Sequence, residues 1–120
     1  MFHKEGDLRK RTFQFGRRIA RLYLALPPKR LADKLSCLAE IYGNQLVRAA
    51  NSIGSNYRES QRGRSVAEYK AKLGDCLREA DETLHWLECI EEDGILDAKR
   101  LSDIKNECTQ LIAIFVSLLK

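Results

Sequence analysis

Residues 65–94, SVAEYKAKLGDCLREADETLHWLECIEEDG, contain the signals for both ends of one long helix. Ser65 and Glu68 form a capping box, because each side chain can accept a hydrogen bond from a free backbone N–H group near the other. Between residues 69 and 90, apolar side chains recur at spacings of three and four and therefore share one helical face. Gly94 predicts the end of the helix, since glycine readily adopts the left-handed conformation that follows a helix.

Three further segments show the same periodicity, so the chain is predicted to contain four helices. These segments run from about residue 7 to 25, from 29 to 61, and from 97 onward. Asp7 and Asp97 are predicted N-caps, whose carboxylates accept hydrogen bonds from backbone N–H groups. Pro27 and Pro28 predict the end of the first helix, because proline lacks the N–H donor of a helical hydrogen bond. Gly43 and Gly54 lie within the predicted second helix, where each costs about 1 kcal/mol relative to alanine.

The composition predicts one all-α domain. The chain has 120 residues, which fits a single domain over residues 1–120, and only 2 prolines and 7 glycines. The predicted connections are short, and helices joined by short loops pack as antiparallel neighbours. We therefore expect an antiparallel up-down-up-down four-helix bundle. The small residues in 49–55 of the second helix should let another helix approach closely.

Cysteine usage and hydropathy indicate a protein of the cytoplasm. The cysteines, at positions 37, 76, 89 and 108, lie in or beside apolar stripes and form no C-x-x-C pair. This pattern is typical of small core residues in a reducing compartment. The N-terminal residues lack the apolar run of a signal peptide, and the longest apolar run, residues 111–116, is too short to span a bilayer. We expect no membrane partner.

The sequence offers no support for catalysis. Glu82 and His85 match one Glu-x-x-His pair of the kind used by di-iron bundles, but such a site needs a second pair and two further glutamates. His3 is the only other histidine. A phosphate-binding loop and a zinc-ligand cluster are also missing from the sequence. We expect no enzyme activity, metal, cofactor or small-molecule substrate; a metal-dependent bundle is an alternative only if Glu82 and His85 face inward.

Two segments contain more apolar residues than one buried stripe requires. The fourth helix is apolar nearly all round at residues 111–116, and Trp86 lies beside the stripe of the third helix. Exposed apolar patches usually mark an interface between proteins. The predicted oligomer interface consists of Trp86, Leu111, Ile112 and Phe115. The alternative is a wide core face with Trp86 at its edge.

Basic residues are the main functional signal in this chain, whose net charge is +4. Clustered cations can neutralise phosphates, and nearby tyrosines, here Tyr57 and Tyr69, can stack on unpaired bases. The predicted nucleic-acid contacts are Arg58, Arg62, Arg64, Lys70 and Lys72 near the turn between the second and third helices, and Arg17, Arg18 and Arg21 on the first helix. The alternative is an ordinary charged surface balanced by the acidic third helix, because residues 75–107 contain eleven acids and only four bases.

Several ordered motifs resemble one protein family. Residues 43–50, GNQLVRAA, and 52–59, SIGSNYRE, resemble the second helix of four-helix bundle proteins first seen in intervening sequences of bacterial 23S ribosomal RNA genes. Residues 72–74, KLG, residues 79–88, EADETLHWLE, and residues 111–115, LIAIF, resemble the third and fourth helices of that family. The resemblance covers nearly the whole chain.

The resemblance implies an assembly and a partner. The family is described as an antiparallel four-helix bundle that forms a homopentamer, and its relatives include the accessory variability determinant proteins of diversity-generating retroelements. Those relatives bind nucleic acid through a basic surface and associate with a reverse transcriptase. The resemblance therefore implies a homopentamer and favours binding to RNA or to a ribonucleoprotein partner such as a reverse transcriptase complex. A protein–protein interaction scaffold without a nucleic-acid role is the alternative.

Overall fold

The computed structural model describes residues 5–120, with side chains from Leu8 onward, and this part of the chain forms four helices. They are α1 (Glu5–Leu24), α2 (Lys34–Ser60), α3 (Val66–Glu92) and α4 (Ala98–Leu119). α1 and α3 each pack against both α2 and α4, whereas the backbones of the diagonal pairs stay apart. The described residues contain no strand and measure 51 × 25 × 20 Å, so the predicted all-α four-helix bundle is confirmed. No helix within this range is long and apolar enough to cross a membrane.

The local signals that start and end helices act at α3 and α4 as the sequence predicts. Ser65 Oγ accepts a hydrogen bond from the backbone N–H of Glu68 at 3.1 Å, and Glu68 Oε1 accepts one from the backbone N–H of Arg64 at 3.1 Å. Asp97 Oδ1 accepts a first-turn N–H at 2.9 Å. These bonds satisfy donors that have no partner within their own helix. Gly94 follows α3 with a φ of +72°, in the left-handed region.

The predicted N-cap of α1 is wrong, whereas the predicted course of α2 through Gly43 is confirmed. α1 begins at Glu5, so Asp7 lies inside the helix and is not its N-cap. α2 continues through Gly43, which is buried. A Cβ atom at Gly43 would lie 2.6 Å from Cδ1 of Tyr23 and 3.0 Å from Cδ1 of Leu26. The end of α1 therefore packs directly against the backbone of α2, and a larger residue here would require the Tyr23 ring to shift.

α2 also starts later than its apolar spacing predicts. Residues 25–33 form a loop, and the Asp33 carboxylate caps α2 by accepting a first-turn backbone N–H at 3.1 Å. Ser36 Oγ accepts the backbone N–H of Arg30 at 2.8 Å, which ties the loop to the first turn of the helix. Leu31, which the apolar spacing assigned to a buried face, is 88% exposed.

The core contains the apolar stripes of all four helices. Tyr57 of α2 and Phe115 of α4 meet there, with ring centroids 6.5 Å apart. Leu111 and Phe115 are fully buried within one chain, so the prediction that they form an oligomer interface is wrong for these two residues. The two buried thiols, Cys76 and Cys108, lie in the same core, and their burial raises the pKa of each to about 12.

α1 and α2 approach each other closely at glycines. A Cβ atom at Gly54 would lie 3.6 Å from the backbone of Thr12 and Phe13, in ordinary contact distance. A Cβ atom at Gly16 would lie only 2.7 Å from Oδ1 of Asn51. The expectation that small residues of α2 admit another helix is confirmed. This contact places side chains of α1 and α2 on the two sides of one groove.

Candidate nucleic-acid interface

A groove of about 650 Å³ lies between the N-terminal half of α1 and the C-terminal half of α2. Both sides are helical, so side chains three or four positions apart on each helix project toward it together. Its basic lining residues are Arg9, Lys10, Arg58 and Arg62, and Glu59 is the acidic residue among those that line it. The groove is therefore lined by a cluster of cations from two consecutive helices, at positions that are far apart in sequence.

The acidic residue of the groove is paired with α3. Glu59 Oε1 lies 2.7 Å from Nζ of Lys72, and this hydrogen bond raises the pKa of Lys72. Arg58 and Arg62 are exposed and form no ion pair with any residue from 8 to 120. The groove consequently retains an uncompensated positive charge. Lys72, predicted as a phosphate contact, instead neutralises a carboxylate at the edge of the groove.

An aromatic ring forms part of the α1 side of the groove. Phe13 is 55% exposed, and Cζ of the Arg17 guanidinium lies 5.6 Å from the centroid of its ring. Arg17 Nη2 donates a hydrogen bond to Asn51 Oδ1 at 2.6 Å. Asn51 Nδ2 in turn donates to the backbone carbonyl of Val47 at 2.9 Å. The guanidinium is thus held against the ring by an uncharged partner, and its positive charge is not neutralised by this contact.

The groove includes only some of the predicted contacts. Arg58 and Arg62 line it, and Arg17 borders it through its contact with Phe13. The remaining exposed members of the predicted set lie outside the lining: Arg18, Arg21, Arg64 and Lys70.

The tyrosines predicted to stack on bases are unsuitable, and the aromatic residue of the groove was missed. Tyr57 is 0% exposed and Tyr69 is 4% exposed, so neither ring can reach a nucleotide. Phe13 lines the groove but was not predicted as a contact. A signal for Phe13 was present, because its position falls outside the apolar stripe of α1.

Two of the predicted interface residues remain partly accessible. Trp86 and Ile112 are half-buried, in contrast to the fully buried Leu111 and Phe115. The Trp86 ring packs 5.7 Å from that of Tyr42, and its Nε1 donates a hydrogen bond to the Glu82 carboxylate at 3.4 Å. These contacts hold the indole on the outer α2–α3 face of the bundle.

The Glu-x-x-His pair does not point into the bundle. His85 is exposed, and its Nε2 lies 3.6 Å from Sγ of Cys89. Glu82 is half-buried and lies 3.4 Å from the guanidinium of Arg48. Among the side chains that the structure describes, residues 8–120, there is no group of three or more His, Cys, Asp or Glu residues placed to hold a metal ion. The condition on which a metal-dependent bundle was retained is therefore not met.

The fold and the groove define a small four-helix bundle protein with a basic cleft between its first two helices. The chain belongs to the 23S rRNA-intervening sequence protein family, whose sequence profile matches residues 4–117. It is similar to the crystal structure of a protein of unknown function from the S23 ribosomal protein family of Bacteroides thetaiotaomicron. The two are 27% identical, with a TM-score of 0.78, and the alignment covers 93% of this chain and 97% of the other. A search of curated proteins gave no match.

Proposed function

We propose that this protein is a non-catalytic, homo-oligomeric scaffold that binds RNA, alone or within a ribonucleoprotein, through the groove between α1 and α2. The observation that supports the proposal is the charge of the groove. Arg58 and Arg62 form no ion pair with the described residues, and the nearby carboxylate of Glu59 is occupied by Lys72. Cations concentrated along a groove attract a polyanion, and each neutralised phosphate releases a condensed counterion.

The family supports the same partner. The chain is a member of a family named for the intervening sequences of 23S rRNA. RNA is a polyanion, and a cationic groove on the surface of the protein would attract it.

Binding to a labelled single-stranded RNA, measured by fluorescence anisotropy across a salt series, tests the proposal. For single strands, log K falls with log salt by about 0.7 for each phosphate contact. Four contacts, from Lys10, Arg17, Arg58 and Arg62, correspond to a slope of roughly −3. The double variant Arg58→Gln/Arg62→Gln should make the slope of log K against log salt less negative by about 1.4, because it removes two phosphate contacts.

A matched control removes the same charge elsewhere. Lys99 and Arg100 are exposed at the start of α4, outside the groove. The double variant Lys99→Gln/Arg100→Gln has the same net charge as the groove variant and should keep the wild-type slope. The proposal fails if wild-type protein binds no RNA at about 50 mM salt, a concentration at which phosphate contacts are strong. It also fails if the two double variants weaken binding equally.

The oligomeric part of the proposal is supported by apolar side chains that one chain leaves accessible. Ile41 is 58% and Val116 is 41% exposed, and Trp86 and Ile112 are half-buried. We propose a homopentamer, the assembly that the family resemblance implies. Size-exclusion chromatography with light scattering should give a mass of about five times the 13.8 kDa of one chain. A 13.8 kDa species at micromolar concentration would refute self-association.

A second candidate is a protein–protein interaction scaffold whose basic residues pair with acidic groups. The observation that favours it is the contact between Arg11 and Glu107, in which Nε and Nη2 donate to the two carboxylate oxygens at 2.8 and 2.9 Å. The chain thus already uses one arginine of α1 to bind a carboxylate of α4. Absence of RNA binding at low salt, combined with a stable oligomer, would support this candidate.

We extend the proposal to the partner that the resemblance to retroelement accessory proteins implies, a cytoplasmic complex of RNA with a reverse transcriptase. The free cysteines at positions 37, 76, 89 and 108 fit a reducing compartment. Co-purification of the tagged protein from its own cells, with sequencing of bound RNA and identification of bound protein, tests this partner. Recovery of RNA without a reverse transcriptase would contradict the retroelement relation and leave the RNA-binding proposal intact.

A further inference from the structure

We infer that the groove selects unpaired nucleotides, by stacking a base on the ring of Phe13 while the surrounding cations contact the flanking phosphates. This inference rests on the proposed RNA-binding function and specifies the form of RNA that the groove accepts. It replaces the expected stacking on Tyr57 and Tyr69, whose rings are buried.

The position of Phe13 has no explanation in the packing of one chain. Its neighbours Thr12 and Phe15 are 1% exposed, whereas Phe13 is 55% exposed. An exposed phenylalanine leaves a large apolar ring in water, which is unfavourable unless something covers it. The residues around it in the groove are mainly polar or basic, so the surroundings suit a charged, aromatic ligand better than an apolar protein surface.

The ring of Phe13 also has an arginine beside it. The Arg17 guanidinium lies 5.6 Å from its centroid and is fixed from behind by the 2.6 Å hydrogen bond to Asn51. A base stacked on the ring would therefore lie next to an arginine that is already held in position and that can contact a phosphate. Base–aromatic stacking of this kind tolerates every base, because each has a π-face.

The size of the groove favours a single strand. A volume of about 650 Å³ is within the range of roughly 300 to 1,000 Å³ that is usual for small-molecule sites. One or two nucleotides fit such a space, whereas a duplex is too wide to enter. In duplex RNA the bases are stacked inside the helix, and only backbone and minor-groove atoms remain accessible. A duplex could touch Lys10, Arg58 and Arg62 but would leave Phe13 uncovered.

The experiment compares three labelled ligands of equal length: a single-stranded RNA, the same strand with abasic positions throughout, and an RNA duplex. Wild-type protein should bind the single strand most tightly, since the other two ligands offer phosphates without accessible bases. Phe13→Ala should weaken binding to the single strand about five- to hundredfold, the effect typical of losing one stacked base, and leave the abasic strand nearly unchanged.

Three further variants separate stacking from general effects. Phe13→Leu keeps an apolar side chain but no π-face, so it should behave like Phe13→Ala, whereas Phe13→Trp should retain wild-type affinity. Val66→Ala removes a side chain of similar exposure, 57%, on α3 outside the groove and should change none of the three affinities. Circular dichroism melts of all variants should match wild type, because each altered side chain is more than half exposed.

The outcomes distinguish the inference from the function on which it rests. If the Phe13 variants bind the single strand like wild type while Arg58→Gln/Arg62→Gln binds weakly, the groove contacts phosphates only and the stacking inference is overturned. Equal affinity of wild type for the single and abasic strands would overturn it as well. If no ligand binds at low salt, the RNA-binding proposal itself is overturned, and the inference with it.

Discussion

Gly74→Ala should stabilise the protein and Gly43→Ala should not, although both replace a glycine inside a long helix. Alanine is favoured over glycine in a helix by about 1 kcal/mol. At Gly74, in α3, an added Cβ atom would have no other atom within 4 Å, so the substitution should raise the free energy of unfolding by about 1 kcal/mol. At Gly43 the added atom would lie 2.6 and 2.8 Å from Cδ1 and Cε1 of Tyr23.

The Tyr23 ring cannot move away freely. Its hydroxyl donates a hydrogen bond to Glu40 Oε1 at 2.6 Å, so displacing the ring would stretch that bond or shift the end of α1. Overpacking of this kind typically costs about 1–3 kcal/mol. After subtraction of the gain in helix propensity, Gly43→Ala should leave stability unchanged or lower it by up to about 2 kcal/mol.

Thermal unfolding followed by circular dichroism measures both effects. For a chain of this length, 1 kcal/mol corresponds to about 4 °C in Tm. Gly74→Ala should therefore raise Tm by about 4 °C, and Gly43→Ala should leave it unchanged or lower it by up to about 8 °C. In a Tyr23→Ala background the cost of Gly43→Ala should largely disappear, because the ring is absent. Equal stabilisation by both alanines in the wild-type background would refute the proposed packing of α1 against α2.

Three further predictions concern single contacts. In a double-mutant cycle of urea unfolding, Arg11→Ala and Glu107→Ala should show a coupling free energy of about 1 kcal/mol. The reason is that the two hydrogen bonds between these side chains join α1 to α4 in a partly buried position. Additive effects of the two substitutions would contradict this prediction. The hydrogen bond to Asp93 raises the pKa of Tyr42 from 10.0 to about 12, so the folded state retains this proton more strongly than the unfolded chain. The contribution of this hydrogen bond to the free energy of unfolding should be complete below pH 10 and should decline between about pH 10 and 12. In alkaline unfolding curves, Tyr42→Phe should abolish the loss of stability that this contribution causes. The two buried thiols should react with a thiol reagent only in denaturant, whereas fast labelling in native buffer would refute their burial.

The sequence predicted the fold well because its signals are local. The capping box at Ser65 and the glycine at position 94 define both ends of α3 without reference to any other helix. The start of α2 was missed for a tertiary reason: Leu31 and Leu35 fit the apolar period, yet they are 88% and 49% exposed. The apolar period of one helix does not show where the neighbouring helix that would cover it ends. Here α1, the neighbour of α2, has already ended at Leu24.

The candidate site was predicted less completely. Arg58 and Arg62 were found because they are neighbours in sequence, but the groove also needs side chains of α1 that only the packed structure brings near them. Tyr57 and Tyr69 were assigned to base stacking although both belong to apolar stripes, and burial of those stripes removes their rings from the surface. Phe13 lies outside the apolar stripe of α1, but only the packed bundle shows that such an aromatic residue lines the basic groove.

The bridge from Lys72 to Glu59 means that the electrostatic character of the cleft depends on a residue of a third helix that does not line it. Replacing Lys72 with a neutral residue would return a full negative charge to the wall of the groove, next to Arg58, without altering any residue that lines the groove. Relatives compared only by the residues facing the cleft would therefore be assigned the wrong charge. The charge of the groove in a relative can be predicted only when the residues at positions 59 and 72 are compared together.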